Sequence, residues 1–431
     1  MSSVIRMLTR VIRSPPKHTA STGDGMAMSL STTCVIAGGG PAGMMLGFLL
    51  GRVGVDVVVL EKHADFLRDF RGDTIHPSTL EVMHELGLLD EFLKQPHQKA
   101  ETLSAIIGGE TINVADFRHL PTRCGYIAIM PQWDFLNFLA EQGKRYPKLA
   151  VKMQAEVTGL IEEGGRIAGV QVTTPEGPLE LRAVLTVGAD GRHSTVRAGA
   201  GLDVRDIGAP MDVLWMRLTR RPDDGPDTLA RIEAGHIFIM INRGDYWQCA
   251  FVIPKGGIDE VHRNGLPAFR ESVVQLAPAL HDRVEELQSW DDIKLLTVAV
   301  DRLSRWCRPG LLCIGDAAHA MSPIGGVGVN LAVQDAVAAA NILAEPLRAR
   351  SATVDDLHAV QHRRELPTRV TQRLQVLAQN RIIRNVLKSR GKLKAPLPLK
   401  LFNHWPWLRR IPARLIGMGV RPEHVRIAER R

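Results

Sequence analysis

The sequence predicts an α/β protein: a parallel-sheet nucleotide-binding domain, an interleaved and mainly antiparallel β domain, and a helical C-terminal tail. Three observations carry this. Residues 34–61 form a strand–turn–helix–strand pattern with three spaced glycines. Residues 213–254 hold strand-like runs with no comparable glycine loop. After residue 361 the chain turns strongly basic and is punctuated by Pro396 and Pro398. At 431 residues it is long enough for two or three domains.

The first element is the glycine motif. Residues 34–37 are apolar and suit a buried parallel strand. Gly38, Gly40 and Gly43 follow as G-x-G-x-x-G, residues 41–52 suit a helix, and a second apolar run over 55–60 ends on Glu61. In a Rossmann-type unit Gly38 permits the tight turn, Gly40 admits a pyrophosphate, and Gly43 lets helix pack on strand. The helix N-terminus offers unpaired N–H groups and a positive dipole end to phosphates. Glu61 stands where it can accept the ribose hydroxyls of an adenosine. These residues predict adenine dinucleotide binding.

Composition narrows the class. Charged residues are 23% of the chain, and no apolar run is long enough to cross a bilayer. The five cysteines are scattered, without C-x-x-C or His-rich spacing, which speaks for a reducing compartment and against zinc, iron–sulfur or disulfides. Cys34 and Cys313 lie in apolar runs and read as packing residues. The net charge of +8 is uneven. Residues 361–431 carry eighteen Lys/Arg against three Glu, a net of +15, which leaves the rest of the chain at −7.

Residues 1–30, rich in Arg and Ser/Thr, suit a transit peptide or a translated leader ahead of Met26 or Met28, and are expected to be disordered. A helix follows Pro77, with Ser78 as its N-cap and Leu80, Val82, Met83, Leu86 and Leu89 at helical spacing. Short strands are expected over 102–130, a helix over 131–142, and a small antiparallel meander over 151–188. In the second domain the strand-like runs precede a helix over 267–287 and a strand over 293–300. Residues 310–314 return to a buried strand, followed by a long Ala-rich helix through Asp335. No second G-x-G-x-x-G appears, so a nicotinamide cofactor would bind without a Rossmann domain of its own. In the tail a basic helix precedes a segment mixing Phe402, Trp405, Trp407, Leu415 and Met418 with arginines. That segment suits either a helix packed on the body near the cleft or a foot on anionic lipid.

Three segments now stand in order: GGGPAG, GADGRHSTVR near 190, and GDAAHAMSPIGGVGVN near 316. Together, over about residues 33–345, the chain resembles the FAD-dependent aromatic hydroxylases of the p-hydroxybenzoate hydroxylase type, class A flavin monooxygenases. The resemblance implies a glutathione-reductase-like FAD domain over 31–105, 128–202 and 300–345 and a substrate domain over 106–127 and 203–299; charge and spacing leave a basic helical region over 346–431. It implies that Gly38, Gly40, Gly43 and Glu61 hold the ADP moiety. Arg71, in R-G-x-x-x-x-P ending at Pro77, would lie against the phosphates, and Gln132 would touch the ribityl chain. Asp190 and Gly191, with Ser194 and Arg197, match the D-G fingerprint shared between FAD and NAD(P)H. Gly315 and Asp316 match the G-D fingerprint, whose carboxylate accepts ribityl hydroxyls. Pro323, Gly325, Gly326, Gly328 and Asn330 match the loop and helix start under the flavin ring. His319 reads equally as a base or as a structural histidine.

The implied activity is hydroxylation of a phenolic, quinone-like or polycyclic aromatic small molecule with NAD(P)H and O2, through a flavin C4a-hydroperoxide. Trp215, Arg217, Met240, Tyr246, Trp247 and Gln248 are the substrate-side candidates on the second sheet. Alternatives are a reductase of a lipophilic prenyl or quinone substrate, and a flavoprotein that sequesters an aromatic ligand. A flavin halogenase is disfavoured, because its W-x-W-x-I-P signature would place tryptophans where Cys249 and Phe251 stand. The expected partners are a small aromatic substrate and no nucleic acid, in a cytoplasmic monomer or homodimer with weak membrane contact through the tail as an option.

Overall fold

The computed structural model describes residues 28–67, 74–225, 229–391 and 393–429. Strand β1 (Met28–Ala37), helix α1 (Pro41–Arg52) and strand β2 (Val57–Leu60) build the glycine-motif unit, with Cys34 opposite Val57 and Ala37 opposite Leu60 in parallel pairing. β1 begins at Met28, earlier than the apolar run 34–37 indicated. Its extra residues pair with a long distant strand, Met28 opposite Leu179 and Thr32 opposite Ala183. Residues 28–30 are therefore strand, whereas residues 1–27 of the expected extension lie outside the described residues.

Helix α2 (Pro77–Glu85) follows, then the hairpin β3 (Thr102–Ile107) and β4 (Glu110–Asp116), and helix α3 (Gln132–Gly143). Ser78 is not the cap of α2. Pro77 takes the first helical position, where its missing N–H costs nothing, so His76 becomes the N-cap. Strand β5 (Leu149–Lys152) precedes the meander β6 (Glu156–Glu163), β7 (Arg166–Thr174) and β8 (Gly177–Gly188), and the short helix α4 (Thr195–Gly199).

The second domain holds β9 (Met211–Thr219), β10 (Leu229–Glu233), β11 (His236–Asn242), β12 (Tyr246–Pro254), helix α5 (Ile258–Leu276) and β13 (Lys294–Leu296). α5 starts and ends earlier than the span 267–287: it kinks at Gly265, whose φ is 82°, and stops before Pro278. Strand β14 (Leu311–Cys313), helix α6 (Gly328–Arg348), helix α7 (Val354–Ala378), and the tail helices α8 (Leu397–His404) and α9 (Arg410–Gly417) complete the chain.

Two sheets organise these elements. The first runs β14–β8–β1–β2–β5, all parallel, with Cys307–Arg308 antiparallel at its edge and β6–β7 extending from the first half of β8. The second runs β13–β9–β12–β11–β10–β3–β4 and is antiparallel except where β10 meets β3. The whole hairpin β3–β4 thus joins the second sheet, so the expected boundary at 105/106 cuts through a strand. A parallel join between distant segments leaves no local trace in sequence.

Helix α1 is buried on every side from Ala42 to Gly51, between the first sheet and α6. α6 is apolar and long enough to cross a membrane, yet most of that stretch is buried inside the body. All five cysteines are buried and free, in keeping with packing roles.

The heart of the first domain is polar. Asp335 on α6 is fully buried. Its carboxylate accepts the Gly315 N–H at 3.1 Å, meets His319 Nε2 at 2.6 Å, and accepts from Arg364 Nε of α7 at 2.9 Å. Arg364 also donates to Glu423 at 3.3 Å, and Arg363 donates to the same carboxylate at 2.6 Å. His319 is thus fixed within this buried polar centre, its ring tilted against Trp306. The tail is fastened to the body: Asn403 donates to Thr111 and accepts from Asn113 of β4, while Val425 N–H donates to Glu85.

Breaking a buried ion pair from one side leaves an uncompensated charge. Arg364→Leu should therefore lower the unfolding free energy by about 3–5 kcal/mol in urea titrations. A change under about 1 kcal/mol would show that the pair carries no such role.

Candidate cofactor and substrate cleft

The glycine motif folds as its spacing requires. Gly38 adopts φ +103°, and a Cβ there would strike the Ala189 carbonyl at 2.3 Å. A Cβ on Gly43 would lie 2.0 Å from the Gly38 oxygen, so α1 could not close on the turn. Gly40, the N-cap of α1, faces open space. Beside it, Glu61 accepts the Gly39 N–H at 3.0 Å and the His63 N–H at 3.1 Å, which pins the carboxylate at the tip of β2. Arg71 and Gly72 lie outside the described residues. Gln132 heads α3 and is half-buried.

The D-G segment after β8 is mostly a structural lock. Asp190 accepts from the Ser194 hydroxyl at 2.5 Å and the Val196 N–H at 3.1 Å, and Ser194 caps α4 by accepting the Arg197 N–H at 2.9 Å. Burial pushes the Asp190 carboxyl up, against the opposing pull of those donors. Gly191 makes the turn at φ 84°. Arg197 is buried and reaches the Ala317 carbonyl at 3.4 Å and Asp301 at 3.5 Å. Arg192 lies 3.9 Å from Asp316 and donates to the Thr297 carbonyl at 3.1 Å. Both arginines tie this segment to the G-D turn; the sequence reading did not single out Arg192.

Gly315 turns at φ 59°, and Asp316 next to it keeps its side chain 38% exposed. The Pro323–Gly328 turn follows, with Gly325 and Gly326 at positive φ. A Cβ on Gly326 would collide with Thr74 Oγ1 at 2.3 Å, and Thr74 donates to the Gly326 carbonyl at 2.9 Å. Gly328 opens α6, whose N-terminus points its free N–H groups toward this turn. The Asn330 side chain is committed within the protein. Its oxygen accepts from His76 N–H (2.8 Å) and the Thr79 hydroxyl (2.7 Å), and its nitrogen donates to Thr74 (3.1 Å) and Gly326 (3.3 Å). Those four bonds exhaust the amide. Asn330 therefore clamps the turn and has no side-chain capacity left for a cofactor.

The register of the second sheet sorts the substrate candidates onto two faces. On β9 and β12, Trp215 pairs with Ala250, Arg217 with Gln248 and Thr219 with Tyr246. Trp215 packs in one cluster with Ile324 of the turn, so this face looks toward it. Arg217 lies 4.9 Å over the Tyr246 ring, and Gln248 accepts from Arg243 at 3.1 Å. Met240 and Trp247 are corrections. Both occupy the opposite face, buried against α5, and the Trp247 indole donates to Asp224 at 2.9 Å. One residue along a strand flips the face, and pattern alone did not assign it.

The buried side of α7 was hidden by its charges. Gln372 donates to the Asp301 and Ala320 carbonyls, and Gln375 to those of Ser322 and Ile324. One turn on, where the helix widens into a π turn at Gln379–Ile383, Gln379 is 1% exposed and neither amide atom has a partner in the protein. Ile383, four residues further, packs with Ile324 and Trp215. Gln379 thus lies on the helix side that faces the turn and the sheet. The spacing Thr368, Gln372, Gln375, Gln379 was the readable signal. Asp134 on α3 is another missed group: burial pushes its carboxyl up, partly offset by Arg243 of the second domain.

The arrangement fits FAD. Gly40 and the α1 N-terminus leave room and N–H groups for a pyrophosphate, Glu61 and Asp316 present carboxylate acceptors for sugar hydroxyls, and the α6 N-terminus stands beside the glycine turn. Among the described residues no cluster of His, Cys, Asp and Glu could hold a metal ion.

Comparison with known proteins agrees. The FAD binding domain family model matches residues 31–374. The 6-methylpretetramide 4-monooxygenase of Streptomyces rimosus is 33% identical over 389 residues, covering 89% of this chain and 92% of that protein. Rifampicin monooxygenase of Streptomyces venezuelae is 30% identical over 70% of this chain and 62% of its own length. Among solved structures, a variant of P. aeruginosa PqsL superposes with a TM-score of 0.71 at 23% identity, covering 83% of this chain and 99% of that one, which shows a shared fold.

Asp316→Ala should purify folded but with bound flavin strongly depleted, as read from visible absorbance; normal flavin content would refute the role of Asp316. A pH effect follows from His76. It is fully buried, its Nδ1–H donates to the Ile416 carbonyl at 2.8 Å, and Nε2 has no partner. Burial lowers its pKa to about 4, against a rise from the Ile416 bond. Below its ordinary pKa of about 6.5 the unfolded chain takes up a proton that the folded one refuses. Stability should thus fall by about 3 kcal/mol as pH drops from 6.5 to 4. His76→Asn should flatten that slope in denaturant titrations across the same window.

Proposed function

Because the chain belongs to the FAD binding domain family of flavoprotein monooxygenases, we propose that it hydroxylates a polycyclic aromatic substrate of polyketide type, with NAD(P)H and O2 as co-substrates. The observation that carries the substrate class is the second-sheet face turned toward Ile324. It offers flat rings from Trp215 and Tyr246 beside the polar groups of Arg217 and Gln248. A fused aromatic system bearing phenolic or quinone oxygens meets both needs. The 33% identity to an enzyme named for 6-methylpretetramide supports the same class.

Bound FAD supplies the electron transfer and oxygen activation that no side chain can provide. The chain's own residues position and shield. Glu61 and the α1 N-terminus would hold the ADP end, and Asp316 the ribityl hydroxyls. The α6 N-terminus presents its positive dipole end at the glycine turn and favours negative charge developing there. Asn330, Thr74 and Gln375 fix that turn from two sides, so its geometry is set before substrate arrives. Apolar Ile324, Ile239 and Ile383 help keep water out. Gln379, an amide with neither atom satisfied in the protein, would meet an oxygen of the substrate: its N–H donates to a quinone or carbonyl, and its oxygen accepts from a phenol.

Incubating the holoenzyme with polyphenolic polyketides should accelerate NAD(P)H oxidation and yield product heavier by one oxygen atom. Substrate reduced without oxygen gain would move the assignment to a reductase, and no stimulation by any ligand would favour sequestration. Gln379→Leu should keep its flavin and raise KM about tenfold, the loss of one buried hydrogen bond. It should also unfold at slightly higher temperature, since an orphaned amide is gone. An unchanged KM would remove Gln379 from the substrate site.

A further inference from the structure

The tail has a face that the protein does not cover. Ten of the fourteen large apolar side chains exposed among the described residues fall within 366–415. Leu397, Leu401 and Trp405 recur every fourth residue along α8 and its end. Trp407, Ile411 and Leu415 do so into and along α9, and these six are 41–79% exposed. Four-residue spacing puts each trio on one side of its helical stretch. The other sides are committed to the body: Leu399 and Asn403 pack and hydrogen-bond at β4, and Ala413 and Gly417 seat against Phe117 and Leu120. The outward stripes are thus held outward by their inner contacts.

Charge accompanies them. From residue 366 to 422 the chain carries thirteen Lys and Arg and no Asp or Glu. Lys394, Arg410, Arg414 and Arg421 are exposed, and Arg410 and Arg414 adjoin Ile411 and Leu415. A nucleic acid would satisfy the cations but leave Leu397, Trp407 and Ile411 against phosphates. A second copy docked face to face would bring like charges together. A bilayer with anionic headgroups satisfies both features, because indole rings and aliphatic side chains settle at the headgroup–acyl boundary while arginines meet phosphates.

We propose that α8 and α9 form a foot that docks on an anionic lipid surface, with Trp405, Trp407, Ile411 and Leu415 in the interface and Arg410 and Arg414 at the headgroups. α9 also carries Ile416, whose carbonyl holds His76 beside the cofactor turn, so docking sets the cleft close to the lipid, where an apolar polycyclic substrate concentrates.

The test spins the FAD-loaded enzyme with vesicles of phosphatidylcholine alone or with phosphatidylglycerol added. Pelleting is expected with the anionic vesicles only, weakening about fivefold for each exposed arginine removed. The triple variant Trp407→Ser, Ile411→Ser, Leu415→Ser should stay in the supernatant while keeping its flavin and its NAD(P)H oxidation in solution. No pelleting with anionic vesicles at low salt, or undiminished pelleting of the triple variant, overturns the proposal. So does a concentration-dependent dimer that the triple variant abolishes, since the stripe would then belong to a second copy.

Discussion

A single carboxylate organises the first domain. Asp335 has no exposure to water, and an ionised acid in that position would cost several kcal/mol if left alone. Burial raises its pKa, but His319 and Arg364 more than reverse this and hold it below the ordinary carboxylate range. One oxygen fixes the Gly315 N–H and with it the turn that aims Asp316; the other fixes Arg364 on the next helix. The cofactor turn, two long helices and the segment around Glu423 are thereby positioned by one buried group. Replacing this hub with apolar residues would keep the packing volume yet release the Gly315 N–H from the carboxylate that anchors it.

The two fingerprint segments, at Asp190 and Asp316, also work as one unit. Asp190 builds the α4 turn, which places Arg197 under the Ala317 carbonyl and Arg192 beside Asp316. The D-G residues thus shape the cofactor site through the backbone they brace. Trp247 has an equivalent part in the second domain, where Asp224 is held well below the ordinary carboxylate range by the Arg283 guanidinium and accepts the indole N–H. Aromatic side chains in a cleft domain serve structure as readily as recognition.

What the sequence made legible was local. The glycine spacing, the apolar strands flanking it and the Ala-rich helix all announce themselves within a few residues, and these gave the FAD-binding half of the fold. The losses share a different cause. Asn330 meets His76 across 254 residues, and β3 meets β10 through a parallel join, so neither has a neighbourhood signature. The sides of β11 and β12 depend on register, which decides that Tyr246 and Gln248 share the face of Trp215 while Trp247 does not. On α7 the surface arginines dominated the pattern and hid an uncharged polar ladder beneath them. The tail was ambiguous because each of its helices packs one side on the body and leaves apolar side chains exposed on the other.

The late position of Glu423 has a consequence for how the molecule is made. Its N–H donates to Gln334, 89 residues earlier, and its carboxylate holds Arg363 and Arg364. While the chain emerges from the ribosome, the glycine motif, both sheets and α6 are all synthesised before this partner exists. Arg364 must wait with one counter-ion in place and the other still in the tunnel. Closure of the polar centre is therefore a late step in folding, one that waits on residues far downstream of the glycine motif, both sheets and α6.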